Sequence, residues 1–154
     1  MDCMQGACGK IILTADPGIV IKKIHRRRGP HTRTSSHRAP EQCRLQSWAH
    51  SICTKENGFS TLYVPRAWDP QPHQYNMEFI HTDKPVDHKE ISVELQLFYN
   101  LAKAEGIFPC DYELYRQPNG SVALIDFDKF AIWREDGSVQ FPWGLVLSDP
   151  QLPI

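Results

Sequence analysis

The chain reads as an α+β protein. The expected architecture is a five-stranded antiparallel sheet with one packed helix, followed by a long helix and β-hairpins. Three observations predict it. Short β-branched runs separated by turn residues fill residues 2–24. Apolar residues fall at helical spacing twice, within 40–58 and 87–105. The stretch Gln117-Pro118-Asn119-Gly120-Ser121 lies between two strand-like runs and is a strong hairpin signal.

The elements follow in order. Gly6-Ala7-Cys8-Gly9 is a tight turn that exposes backbone, and residues 10–14 alternate into a strand. A Gly-rich turn between strands can lay its amides over phosphate, although a plain hairpin turn has the same composition. Asp16-Pro17-Gly18 is a turn in which Pro sets φ and Gly is expected to supply a positive φ. Ile19-Val20-Ile21 is the third strand and Lys22 closes it; alternation with an inward Val20 turns Lys22 inward in preference to Lys23. Residues 25–38 are basic and polar and read as a connection. Pro40 suits a first helical turn, Leu45, Trp48, Ala49 and Ile52 share a face, and Gly58 is the stop. Glu41 lies four residues before Leu45, which puts it on the inward stripe with Lys22 as a partner; the helix dipole alone would also favour an acid there. Residues 60–64 and 75–80 read as strands joined by a Pro-rich loop, 65–74. Residues 87–90 have the D-x-x-E form of a capping box before the long helix, which Gly106 ends. Residues 112–116 and 122–126 form the hairpin, and 130–133 and 139–141 form a second one around Glu135-Asp136-Gly137. The apolar end, 143–154, is expected to lie across the surface or fray.

Bulk properties narrow the function. The length of 154 residues fits one domain. A formal net charge of −1 gives no general attraction to nucleic acid or membrane, and no apolar run is long enough to span a bilayer. The first ten residues lack the basic start and apolar block of a signal peptide. Five cysteines, with no C-x-x-C pair, read as reduced thiols of an intracellular, cytoplasmic protein. A zinc site from Cys3, Cys8 and histidines matches no common ligand spacing.

The most informative chemistry is Leu124-Ile125-Asp126-Phe127-Asp128. A buried strand ends on two acids one residue apart, and strand alternation would send both carboxylates the same way. Close carboxylates at such a place call for a cation, and Mg²⁺ shared with a phosphate is the natural one. Two solvated acids at a strand end is the competing reading.

Taken in order, these features resemble the protein-kinase-like superfamily in a compact form, over residues 3–132. Ile19-Val20-Ile21-Lys22 resembles the strand carrying the phosphate-binding lysine, and Glu41 its ion-pair partner. Met77-Glu78-Phe79-Ile80-His81 resembles the strand leading into the adenine-gripping hinge. Leu124-Ile125-Asp126-Phe127-Asp128 resembles the metal-binding segment, in the form familiar from small-molecule phosphotransferases. The resemblance implies an upper lobe over 1–82, a reduced lower lobe over 83–133 and a tail over 134–154. It implies ATP and Mg²⁺ as ligands, with Gly6, Gly9, Lys22, Glu41, Glu78 and Ile80 holding nucleotide and Asp126 and Asp128 the metal. The family's catalytic loop is absent; Asp111 is the acid near the place of its base, and Arg116 stands where a second metal-binding Asn would fall.

Three functions follow as expectations. One is a minimal phosphotransferase, acting on a small molecule or on itself, with Lys22 and Asp111 as its catalytic residues. Another is a pseudokinase-like module that meets a protein partner or a second copy through Trp133, Phe141, Trp143 and residues 145–147. The third is an α+β protein that binds nucleic acid through residues 22–38, which the near-neutral charge and the lack of aromatic interleaving disfavour.

Overall fold

The computed structural model describes residues 3–5, 9–24, 38–142 and 146–148. The protein is α+β, and its described residues form two α-helices and several largely antiparallel sheets. Strands β1 (Cys3–Gln5), β2 (Gly9–Leu13) and β3 (Ile19–Ile24) precede helix α1 (Arg38–Ile52). Next come β4 (Leu62–Tyr63), β5 (Ala67–Gln71), β6 (Gln74–Glu78) and helix α2 (Ser92–Ala104). The chain continues through β7 (Ile107–Pro109), β8 (Glu113–Arg116), β9 (Val122–Ile125), β10 (Phe130–Trp133), β11 (Val139–Gln140) and β12 (Val146–Leu147).

The first sheet runs β1-β2-β3-β6-β5 and is antiparallel throughout. Val20 pairs with Met77 and Lys22 with Tyr75 across β3 and β6, so these four side chains share one face. Helix α1 covers that face with Ala39 and Cys43 against Val20, Tyr75 and Met77. The turn into β3 departs from expectation. Gly18 is not among the glycines with positive φ, and the Asp16 carboxylate holds the turn by accepting the Gly18 amide at 2.8 Å. An Asx turn needs no left-handed residue.

The fifth strand of this sheet is β5, from the segment expected to be a loop. Pro70 is tolerated because β5 is an edge strand, and the ladder is broken between Trp68 and Gln71, where Asp69 takes φ 57°. Strand β4 instead leaves this sheet and pairs in parallel with β9, Leu62 opposite Val122. It thereby ties the middle of the chain to the β8–β9 hairpin. That hairpin and the β10–β11 pair form where the turn residues place them, and Gly120 and Gly137 have positive φ. Strand β12 pairs with β11, so part of the apolar end is in a sheet. Gly6, Cys8, the basic run 25–28, Trp143 and Leu145 lie outside the described residues.

The main core joins both helices to β4, β8, β9 and β10. Phe98, Phe127 and Phe130 are fully buried in it, and the Phe127 and Phe130 ring centres are 4.4 Å apart. Each such ring contributes about 2–3 kcal/mol of burial. The capping box behaves as half of itself: Asp87 accepts the Lys89 amide at 2.9 Å, but the turn it caps is a 3-10 turn, His88–Ile91, ahead of α2.

Glu94, in the first turn of α2, holds the segment before β4. One oxygen accepts the backbone amides of Ser60, Thr61 and Leu62 at 3.0, 3.0 and 2.9 Å. Burial would raise this carboxyl's pKa, but the amides of Leu62, Thr61 and Ser60 together hold it below its ordinary value. A carboxylate with a depressed folded pKa stabilises the fold above the unfolded value, about 4.3, and loses that contribution as pH falls through the folded value. Glu94→Gln is expected to cost about 1–2 kcal/mol near neutral pH, allowing for its partial exposure. The gap from wild type in urea titrations should close below about pH 4; a gap independent of pH would contradict the charge-based account.

Candidate functional site

The polar groups converge where α1 meets the β3–β6 face and the turn after β9. Lys22 does point inward, as alternation with Val20 implied. The residue is half-buried. Burial pulls its pKa down, but Tyr75, Asp126 and Asp128 outweigh that and leave it above the ordinary value. Its cross-strand neighbour Tyr75 donates its hydroxyl to Gln46 Oε1 at 3.0 Å. Burial, partly offset by Lys22, pushes the Tyr75 phenol up to about 12, so it stays neutral. Gln46 Nε2 in turn donates to the Pro65 carbonyl at 3.0 Å.

The two aspartates are placed by a route other than strand alternation. Strand β9 ends at Ile125, and Asp126 takes φ 76°. A left-handed non-glycine residue is uncommon, and Asp is among the residues that tolerate it. Phe127 then enters the main core, and the turn closes with Phe130 N donating to Phe127 O at 3.3 Å. Asp128 is buried with 1% of its surface exposed, and it is not solvated as the competing reading required.

Its partners are on α1. Arg38 Nε donates to Asp128 Oδ1 at 3.0 Å, and Arg38 Nη2 lies 2.9 Å from the same oxygen. Gln42 Nε2 donates to it at 2.9 Å. Arg38, Gln42 and Gln46 fall at i, i+4, i+8 and make the inward polar stripe of the helix. Arg38 therefore compensates the buried charge of Asp128. The second oxygen of Asp128 and Oε1 of Gln42 are buried without a hydrogen-bond partner.

Other expected site residues lie elsewhere. Glu41 is paired with Arg44, its Oε1 accepting from Arg44 Nε at 3.2 Å, and no ion pair joins it to Lys22 among the described residues. Helix α1 has two inward faces, which explains the error. Leu45 and Ala49 pack into the main core, whereas Ala39 and Cys43 pack on the sheet, and Glu41 sits outside the second face. Glu78 spends its carboxylate on Tyr63 Oη at 2.5 Å and the Arg66 amide at 2.7 Å, which pins the segment between β4 and β5. Ile80 is buried, and the next residue is clamped: Gln117 accepts the His81 amide at 2.9 Å and donates to its carbonyl at 2.8 Å. Asp111 is exposed and lies 3.4 Å from Lys129; the acids that act on Lys22 are Asp126 and Asp128. Arg116 pairs with Glu90 at 3.0 Å. Gly9 opens β2 opposite Ile24. Gly6 and Cys8 are outside the described residues.

Four residues were missed: Arg38, Gln42, Gln46 and Tyr75. For the three on α1 the signal was the four-residue spacing of long polar side chains from Arg38 to Gln46, visible only once the helix is started two residues before Pro40; Tyr75 is on β6 and carried no such signal. Among the described residues no group of three or more His, Cys, Asp or Glu is arranged to hold a metal.

Removing Arg38 leaves a buried carboxylate uncompensated. Arg38→Met should destabilise by about 3–5 kcal/mol, and Arg38→Met with Asp128→Leu should recover most of that. Urea unfolding of the single and double variants measures both; additive losses would show that the pair is not coupled. Compared with protein-family models, curated proteins and solved structures, the chain matches none of them.

Proposed function

We propose that this protein is a kinase-like nucleotide-binding module. Lys22 would hold the phosphates, and Asp126, with Asp128 beside it, would face the accompanying Mg²⁺. One observation carries the reading: Lys22 lies on the face of the third strand that α1 covers, and Asp128, in the turn after β9, is held by Arg38 and Gln42 of that same helix. The antiparallel order β1-β2-β3-β6-β5, with α1 packed on the inward-lysine face, agrees with it. So does the left-handed Asp126, because backbone strain of about 1–3 kcal/mol collects at ligand sites. The orphaned acceptors of Asp128 and Gln42 suit a hard cation, whose chemistry is to neutralise phosphate charge.

Binding is favoured over phosphoryl transfer. Transfer asks for a positioned acceptor base, and Asp111 is exposed and engaged by Lys129. Asp128 is already held by Arg38 and Gln42. A protein-facing role has its own support, since Trp133, Val146 and Leu147 are 37%, 38% and 37% exposed on strands of one sheet. A phosphotransferase remains the second reading because Lys22 and Asp126 retain the parts that position a nucleotide. Among the described residues no helix is long and apolar enough to cross a membrane.

The test is thermal unfolding with Mg·ATP. At a hundred times Kd the ligand adds about 2.7 kcal/mol, a rise of several degrees for a chain of this size. Lys22→Met and Asp126→Asn should each abolish the rise, and Asp111→Asn should leave it unchanged. No shift with any nucleotide would refute the proposal. Phosphate transfer from γ-labelled ATP that Asp111→Asn removes would establish the second reading instead.

A further inference from the structure

We propose that the face of the first sheet opposite α1 binds single-stranded nucleic acid, with a base held at the β5–β6 hairpin and phosphates over the lysines of β2 and β3. The strand registers build this face. Val20, Lys22, Tyr75 and Met77 turn toward α1, so their neighbours in sequence turn away from it. Two rows result. Trp68, Asn76, Ile21 and Ile12 lie opposite one another across β5, β6, β3 and β2. Two residues further along, about 7 Å away, come Gln71, Gln74, Lys23 and Lys10, a row without an acid. Lys10 and Lys23 are direct cross-strand partners. Like charges in that position repel, and an anion between them removes the penalty. Among the described residues Ile12, Ile21 and Trp68 join none of the hydrophobic cores.

A cleft of about 430 Å³ opens beside Trp68, lined by Asp69, Gln71, Pro72, His73, Gln74 and Asn76. That is the size of a small-ligand site. Its groups suit the edge of a base: Asn and Gln amides pair with adenine, and a carboxylate accepts from the amino group of cytosine. Trp68 supplies a ring for stacking, and the Arg66 guanidinium lies over it, 5.3 Å from its centre. Charge is arranged to match. Of the acids here, Glu78 is spent on Tyr63 and the Arg66 amide, and Asp69 lies in the cleft, where a base would donate. The lysines stand in the row beside the cleft, where the strand's phosphates would pass. The aromatic residue missing from 22–38 is thus supplied by β5. An acidic peptide would use the lysines but not the cleft or the ring. Lys22 points to the other face, so this site does not depend on the nucleotide reading above.

The experiment follows fluorescence anisotropy of labelled single-stranded DNA and RNA of about twelve nucleotides, the matching DNA duplex and a polyglutamate peptide, on the full chain at about 50 mM salt. At least one single strand should bind about tenfold more tightly than duplex or polyglutamate. Trp68→Ala should weaken that binding about fivefold or more, while Trp68→Phe, which keeps a ring, should stay within about twofold. Thermal unfolding checks that both variants fold. Lys10→Gln with Lys23→Gln should lower the slope of log affinity against log salt by about 1.4, and Lys103→Gln on α2 should leave affinity unchanged. Full affinity in Trp68→Ala would overturn the inference, as would an equal loss in Lys103→Gln. Equal binding of duplex or polyglutamate, or no binding of either single strand, would also overturn it.

Discussion

The buried contact between Arg38 and Asp128 is the constraint on which the middle of this molecule depends. Each ion, taken alone, would cost several kcal/mol to remove from water. Together, with Gln42 on the same carboxylate oxygen, they join the start of α1 to the turn between β9 and β10. That turn contains Phe127, which sits in the main core, and the left-handed Asp126. One ion pair therefore positions the helix, the turn and the candidate ligand site at once. A well-packed apolar replacement could be as stable, so the presence of charge here argues for specificity of arrangement more than for strength.

Helix α1 shows how the polar and apolar requirements are reconciled. Its small residues, Ala39 and Cys43, allow close approach to the sheet. Its polar residues are consumed one by one. Gln46 takes the Pro65 carbonyl, Ser47 Oγ donates to the Ala67 carbonyl at 2.9 Å, and His50 Nδ1 donates to the Val64 carbonyl at 2.7 Å. The segment between β4 and β5 can thus cross the helix with its carbonyls satisfied, although Pro65 and the short β4 prevent a regular ladder there. Glu94 does the same service for the amides on the other side of β4. Two helices, by their side chains, replace the hydrogen bonds that a longer strand would have made.

Much of the fold was legible where the rule is local. The Asn119-Gly120 turn and its flanking runs mark β8 and β9, and the Gly137 turn marks β10 and β11. Val20 and Lys22 alternate as a half-buried strand should. The errors have physical causes. Strand β5 was hidden by Pro70, which an edge position tolerates. Glu41 was assigned inward because a single inward stripe was assumed, whereas α1 faces both the sheet and the main core.

By itself, the sequence determined the period of most elements, their turn chemistry, an inward lysine on β3, which runs on past it to Ile24, and two aspartates just beyond β9. Those depend on backbone sterics and on neighbours within a few residues. Only the tertiary structure decided which charge meets which. Arg38 and Asp128 are 90 residues apart along the chain, and their contact exists because α1 packs over β3 and β6 while β9 ends beneath it. Ion pairing acts through space over a few ångströms, so the polar spacing from Arg38 to Gln46 marks a stripe on the helix but not the acid that the stripe meets.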